Sequence, residues 1–187
     1  MIRYDEPTQL PLVHVCTAAR EKGNWCWDIK NENAISFNEW FNLTLKQAKN
    51  DEGKYIYSIS MNGEELRSWE NTTPETFENV DGLLGNTYEP EFNYVIPVAQ
   101  YRNFKFTTTE TDNETDNEND IVVDKDVIQK NMVLYQDITV HPTYEVSVDL
   151  NLEEYTNTRW ANIFGFRQQG ADVLEAGYRM PSGKFSS

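Results

Sequence analysis

Residues 55–69, YIYSISMNGEELRSW, decide the fold class. Tyr55, Tyr57, Ile59 and Met61 recur at every second position, the period of a strand with one face against a core. Asn62-Gly63 then separates this run from a second one, Glu64 to Trp69. Both central residues of a tight hairpin turn need positive φ, and Asn-Gly is the pair that accepts it most readily. The stretch therefore predicts two antiparallel strands joined at Asn62-Gly63.

The same period extends in both directions. Upstream, Phe41, Leu43 and Leu45 alternate with Asn42, Thr44 and Lys46. Downstream, Tyr144, Val146, Val148, Leu150 and Leu152 alternate with Glu145, Ser147, Asp149 and Asn151, and Trp160, Asn162, Phe164 and Phe166 follow the polar turn EEYTNT. Shorter strand candidates are Leu12–Thr17, Trp25–Ile29, Phe77–Leu84, Tyr101–Thr108, Met132–Ile138 and Val173–Arg179. About ten short strands with turn signals between them predict an all-β chain, an antiparallel β-sandwich of the jelly-roll or concanavalin A-like kind.

One segment breaks the pattern. Residues 109–120, TETDNETDNEND, contain no apolar side chain and repeat the unit TDNE. Such a composition buries too little surface to offset the entropy of ordering it, which predicts a solvated linker. Asp112, Asp116 and Asp120 are too sparsely spaced for an EF-hand loop, whose glycine and closing glutamate are also missing. The expected division is residues 1–108, an acidic linker over 109–126, and residues 127–187.

The net charge is −15, from 31 acidic and 16 basic residues. Phosphate binding needs clustered Lys and Arg, so nucleic acid and anionic membrane surfaces are excluded as expected partners. No stretch approaches the roughly 20 apolar residues of a membrane-spanning helix. Cys16 and Cys26, the two cysteines, lie on either side of residues 17–25. A hairpin of that length brings two Cα atoms within disulfide reach; a buried thiol pair is the alternative. Asn42, Asn71 and Asn113 each head an Asn-X-Thr sequon, with Pro74 close behind the second. Cysteines and sequons together predict a secreted, disulfide-bonded glycoprotein.

Motifs for catalysis are missing from this sequence. His14 and His141 are its two histidines, and neither adjoins a Ser or Cys in a triad-like arrangement. No CxxC, HExxH, GxGxxG or P-loop spacing occurs. The expectation is a non-enzymatic protein without metal or cofactor. Aromatic residues are the better functional signal. Trp25 and Trp27 flank Cys26, and Trp69 ends the hairpin near Asn71, placements from which indole rings can stack on sugars. Core filling is the competing explanation for all three.

Several stretches resemble the farnesoic acid O-methyltransferase domain, an extracellular invertebrate β-sandwich. They are FNEWF (37–41), KYIYSISMNG (54–63), NTTPETFENV (71–80), RNFKF (102–106), YEVSVDLNL…WANIFGF (144–166) and YRMP (178–181). Here Gly-Tyr-Arg-Met-Pro stands where that module has Gly-Asp-Arg-Ile-Pro, so one acid is missing. Nothing resembles a methyl-donor site. Segments similar to the module's opening strands lie at the C-terminal end, and those similar to its closing strands precede the linker. The resemblance therefore implies either a circular permutation or the junction of two tandem repeats. In the second case each half leaves strand edges open for another chain. A head-to-tail contact of that kind propagates into a filament.

Two functions are expected from these readings. The first is a structural or adhesive extracellular module that assembles with copies of itself into a fibre or matrix. The second is a carbohydrate-binding module that uses Trp25, Trp27 and Trp69.

Overall fold

The computed structural model describes residues 2–4, 11–19, 23–28, 35–84, 98–110, 121–123, 126–128, 132–154 and 164–168. Asn113, most of the acidic segment, Trp160 and the expected strand at 173–179 lie outside the described residues. Every regular element described is a β-strand, and all the pairings are antiparallel.

The first three strands, β1 (Ile2–Tyr4), β2 (Pro11–Ala19) and β3 (Gly23–Asp28), form a sheet in that order. A larger sheet holds β4 (Trp40–Lys49), β5 (Tyr55–Met61), β6 (Glu64–Glu70), β8 (Val98–Thr109), β9 (Ile121–Val123), β10 (Asp126–Val127) and β12 (Thr143–Glu154). Its order is β10-β8-β12-β4-β5-β6, with β9 also paired to β8. The third sheet has the order β11-β7-β13, from β7 (Phe77–Leu84), β11 (Met132–Val140) and β13 (Phe164–Gln168).

The hairpin at Asn62-Gly63 forms as expected, with φ values of 52° and 80°. The alternation upstream and downstream of it builds one inner face. Phe41, Leu43 and Leu45 of β4 stand opposite Leu150, Val148 and Val146 of β12, and all six are buried. Tyr101 and Phe106 of β8 continue the row from the other side of β12. Phe77 and Val80 of β7 and Tyr135 and Val140 of β11 belong to the same core. Tyr135 stacks on Phe106 with ring centroids 5.1 Å apart and lies 6.1 Å from Phe104. Two antiparallel sheets thus share one apolar interior, the sandwich principle.

The two C-terminal runs part company. Residues 143–154 lie between β4 and β8 in the large sheet, whereas 164–168 pair with β7 in the small one. The two alternating runs therefore do not share a sheet. Instead Phe164 and Phe166 stand opposite Leu84 and Gly82, in the sheet that covers the face of β12. A lone sheet is marginal in water, and this division supplies the second layer.

The chain changes sheets between β11 and β12 at His141-Pro142, and inward-facing polar residues hold that corner. Thr108 Oγ1 accepts from His141 N at 2.8 Å and donates to Thr143 O at 3.3 Å. Gln47 Nε2 donates to Pro142 O at 2.7 Å, while Gln47 Oε1 accepts from Asn71 Nδ2 at 2.7 Å. Gln47 and Thr108 are buried to 1% and 2% exposure, and these bonds account for two polar groups inside an apolar layer.

Candidate functional site

Strand alternation sends the partners of the core residues to the outer face of the large sheet. There β4 presents Trp40, Asn42, Thr44 and Lys46, and β12 presents Glu145, Ser147, Asp149 and Asn151. All but exposed Lys46 are half-buried. On β8 the alternation changes phase: Ala99 and Tyr101 point inward, and so do Phe104 and Phe106. The register shifts there, since Ser147 stands opposite Lys105 but Asp149 opposite Arg102. Asn103 is the extra residue, with φ at 50°, a left-handed conformation that Asn tolerates better than most side chains. In a regular strand Arg102 and Asn103 would face opposite ways. The bulge turns both toward Asp149.

Asp149 is the hub of the face. Its Oδ1 accepts from Asn42 Nδ2 at 3.0 Å, and its Oδ2 accepts from Asn103 Nδ2 at 2.7 Å and Arg102 Nε at 3.2 Å. Asn42 Nδ2 also donates to Ser147 Oγ at 3.0 Å. The Thr44 hydroxyl lies 3.0 Å from Asn42 Oδ1 and 3.2 Å from Ser147 Oγ. The guanidinium of Arg102 sits over the Trp40 ring, 4.0 Å from its centroid, a cation–π contact. In the cross-strand register Asn151 lies between Trp40 and Gln100, and Gln100 Nε2 donates to Glu153 Oε1. At the rim Lys46 pairs with Glu145 at 3.1 Å, an exposed bridge of little energetic weight.

Partial burial pushes the Asp149 carboxyl upward. The hydrogen bonds from Asn42, Asn103 and Arg102 and the Arg102 charge outweigh that effect and hold it below its ordinary 3.8. Because the folded carboxyl is the more acidic, its contribution to stability is complete above 3.8. It is lost as pH falls through the depressed folded value. Thermal melts of wild type and Asp149→Asn, which cannot titrate, are expected to differ most at neutral pH and to converge in acid. A gap independent of pH contradicts the network.

Other residues singled out in the sequence fall elsewhere. Trp69 is half-buried against the core, its ring 4.6 Å from that of Tyr57 and tilted by 43°. Asn42 is on the outer face, but both of its amide hydrogens are engaged, so a glycan there would displace one bond. Among the described residues Asn71 Nδ2 donates one bond, to Gln47 Oε1, and its Oδ1 accepts from Thr73 N at 3.1 Å. A glycan on Asn71 leaves that arrangement its hydrogen. The side chains of Cys16, Trp25, Cys26 and Trp27 lie outside the described residues, yet their backbone register is defined. Cys16 stands directly opposite Cys26, with Thr17 opposite Trp25 and Val15 opposite Trp27. Directly opposed antiparallel residues have Cα atoms about 4.5–5.5 Å apart, inside the disulfide range. Alkylation without reductant is expected to leave the intact mass unchanged. Two added alkyl groups would show free thiols.

Trp40, Arg102, Asn103, Ser147 and Asp149 escaped the sequence reading as a site. One signal could have found them: Tyr101, Phe104 and Phe106 are spaced by three and then two, which marks a bulge between them. No family model, curated protein or solved structure matches this chain. The resemblance to the farnesoic acid O-methyltransferase domain rests on the quoted segments alone.

Proposed function

We propose that this chain is a non-enzymatic, extracellular adhesive module, a jelly-roll or concanavalin A-like sandwich that binds through the outer face of its large sheet. The supporting observation is the ordered cluster around Asp149, mounted on three adjacent strands and held by cross-strand bonds rather than by loops. Sites on such strands are held more rigidly than sites on loops. The opposed cysteine register and the sequon at Asn71 favour a secretory setting.

Assembly by exchange of strands between copies has weaker support. Both edges of β12 are occupied by strands of its own chain. At one end of the large sheet, β6 carries exposed Glu64, Glu65, Arg67 and Glu70, the charged edge that discourages strand addition.

Retention of the labelled full chain on a cell-free extracellular matrix tests the proposal. Thr44→Arg, which places a bulky charge in the middle of the face, is expected to abolish retention, whereas Lys54→Ala in the distant 50–54 turn is not. No retention of wild type, or equal retention of Thr44→Arg, overturns the reading.

A further inference from the structure

Arg102 is unusually constrained for a surface arginine. Its Cζ lies over the Trp40 ring and its Nε is held by the Asp149 carboxylate. Its terminal nitrogens make no hydrogen bond among the described residues, and its side chain is 43% exposed. The guanidinium is thus partly open to solvent and anchored at Nε and Cζ, with less rotamer entropy left to lose on binding than a free arginine.

We propose that Arg102, Asp149 and Trp40 form a binding site for a neutral saccharide, with Arg102 as the principal hydrogen-bond donor. This rests on the outer-face reading above and names its ligand class. A pair of vicinal hydroxyls fits the groups on offer. Their oxygens accept from the two terminal nitrogens of Arg102. One of their hydrogens reaches the remaining acceptor position of Asp149, which uses three of about four. The indole of Trp40, with Arg102 over its face, holds the guanidinium in place, and only the uncovered part of this half-buried ring is left for the C–H groups of the sugar. Neutral sugars are favoured over acidic ones by charge. Across the outer face Arg102, Lys105 and Lys46 are matched by Asp149, Glu145 and Glu153, so no surplus cation awaits an acidic sugar, and the whole chain carries −15. An anionic ligand gains no unmatched cation there and is opposed by the charge of the whole chain, while a polyol is indifferent to both.

Titration of the isotope-labelled full chain with methyl glycosides of galactose, mannose, glucose and N-acetylglucosamine tests the site by NMR. Sialyllactose beside lactose forms the acidic arm. At least one neutral glycoside is expected to shift the Trp40 indole and Arg102 Nε signals in a saturable way, and lactose to bind more tightly than sialyllactose. Arg102→Lys keeps the charge but loses the planar fork, and is expected to weaken binding by about tenfold or more. Lys54→Ala is expected to bind as wild type, and the melting temperature of Arg102→Lys separates lost binding from lost fold. No shift with any neutral glycoside, tighter binding of sialyllactose, or undiminished affinity in folded Arg102→Lys overturns the site. If the saccharides fail while Thr44→Arg still abolishes matrix retention, the adhesive face stands and its ligand is of another class.

Discussion

Gln47→Glu is expected to destabilise the fold by about 3 kcal/mol or more at neutral pH, despite near-identical side-chain volume. Gln47 is 1% exposed and acts in both directions, donating to Pro142 O and accepting from Asn71 Nδ2. A carboxylate retains the acceptor role but sets a negative oxygen against the Pro142 carbonyl at 2.7 Å. Protonation restores a donor at that position. The introduced carboxyl thus has a folded pKa above its unfolded one, and folding is favoured by acid. Denaturant titrations should show the deficit against wild type narrowing as pH falls. A deficit below about 0.5 kcal/mol, the usual range for inconsequential substitutions, would mean that Gln47 does not hold the sheet-changing corner.

Gly82→Ala carries the second large effect, roughly 3 kcal/mol at the upper end of overpacking costs. Gly82 is buried in the middle strand of the small sheet, opposite Tyr135 on one side and Phe166 on the other. The Tyr135 ring lies across Gly82, and a Cβ there would press into the ring at Cζ and its two Cε neighbours, far inside van der Waals contact. The ring cannot simply withdraw, because it is stacked on Phe106 across the core. Here glycine is required by a close approach, not by a turn. Gly82→Ala combined with Tyr135→Phe is expected to recover little over Gly82→Ala alone, since the three closest atoms are ring carbons that phenylalanine keeps. Tyr135→Leu should relieve part of the cost. Chemical denaturation of the three variants measures this, and a stable Gly82→Ala single variant would contradict the packing.

Much of the large sheet was legible because its strands have one wet face. Phe41-Leu43-Leu45 and Tyr144-Val146-Val148-Leu150-Leu152 alternate without interruption, and a strict period of two leaves a single register face to bury. Asn62-Gly63 was legible for a separate reason, the backbone preference of two residues. The corner at His141-Pro142 was not. Its anchors, Gln47 and Thr108, are polar residues at inward positions, and only their partners across the fold explain them. Nor does local pattern reveal that 144–152 and 164–168 enter different sheets, because both runs are apolar and pairing partners are a long-range choice. The candidate site was missed because Arg102 and Asn103 are consecutive in sequence. Only the phase change between Tyr101 and Phe104 betrays the bulge that brings both to Asp149.

The central claim is that β12 threads between β4 and β8 of its own chain and so completes the outer face within one molecule. Mixed-label NMR tests it most directly: chains labelled with nitrogen-15 alone and with carbon-13 alone are unfolded, mixed in equal amounts and refolded together. The account predicts that contacts between residues 143–154 and both 40–49 and 98–109 arise only within a single label, at all concentrations. Contacts between differently labelled chains across those strands would contradict it. They would make the molecule a strand-exchanging unit of a polymer, with Asp149 and Arg102 contributed by different copies.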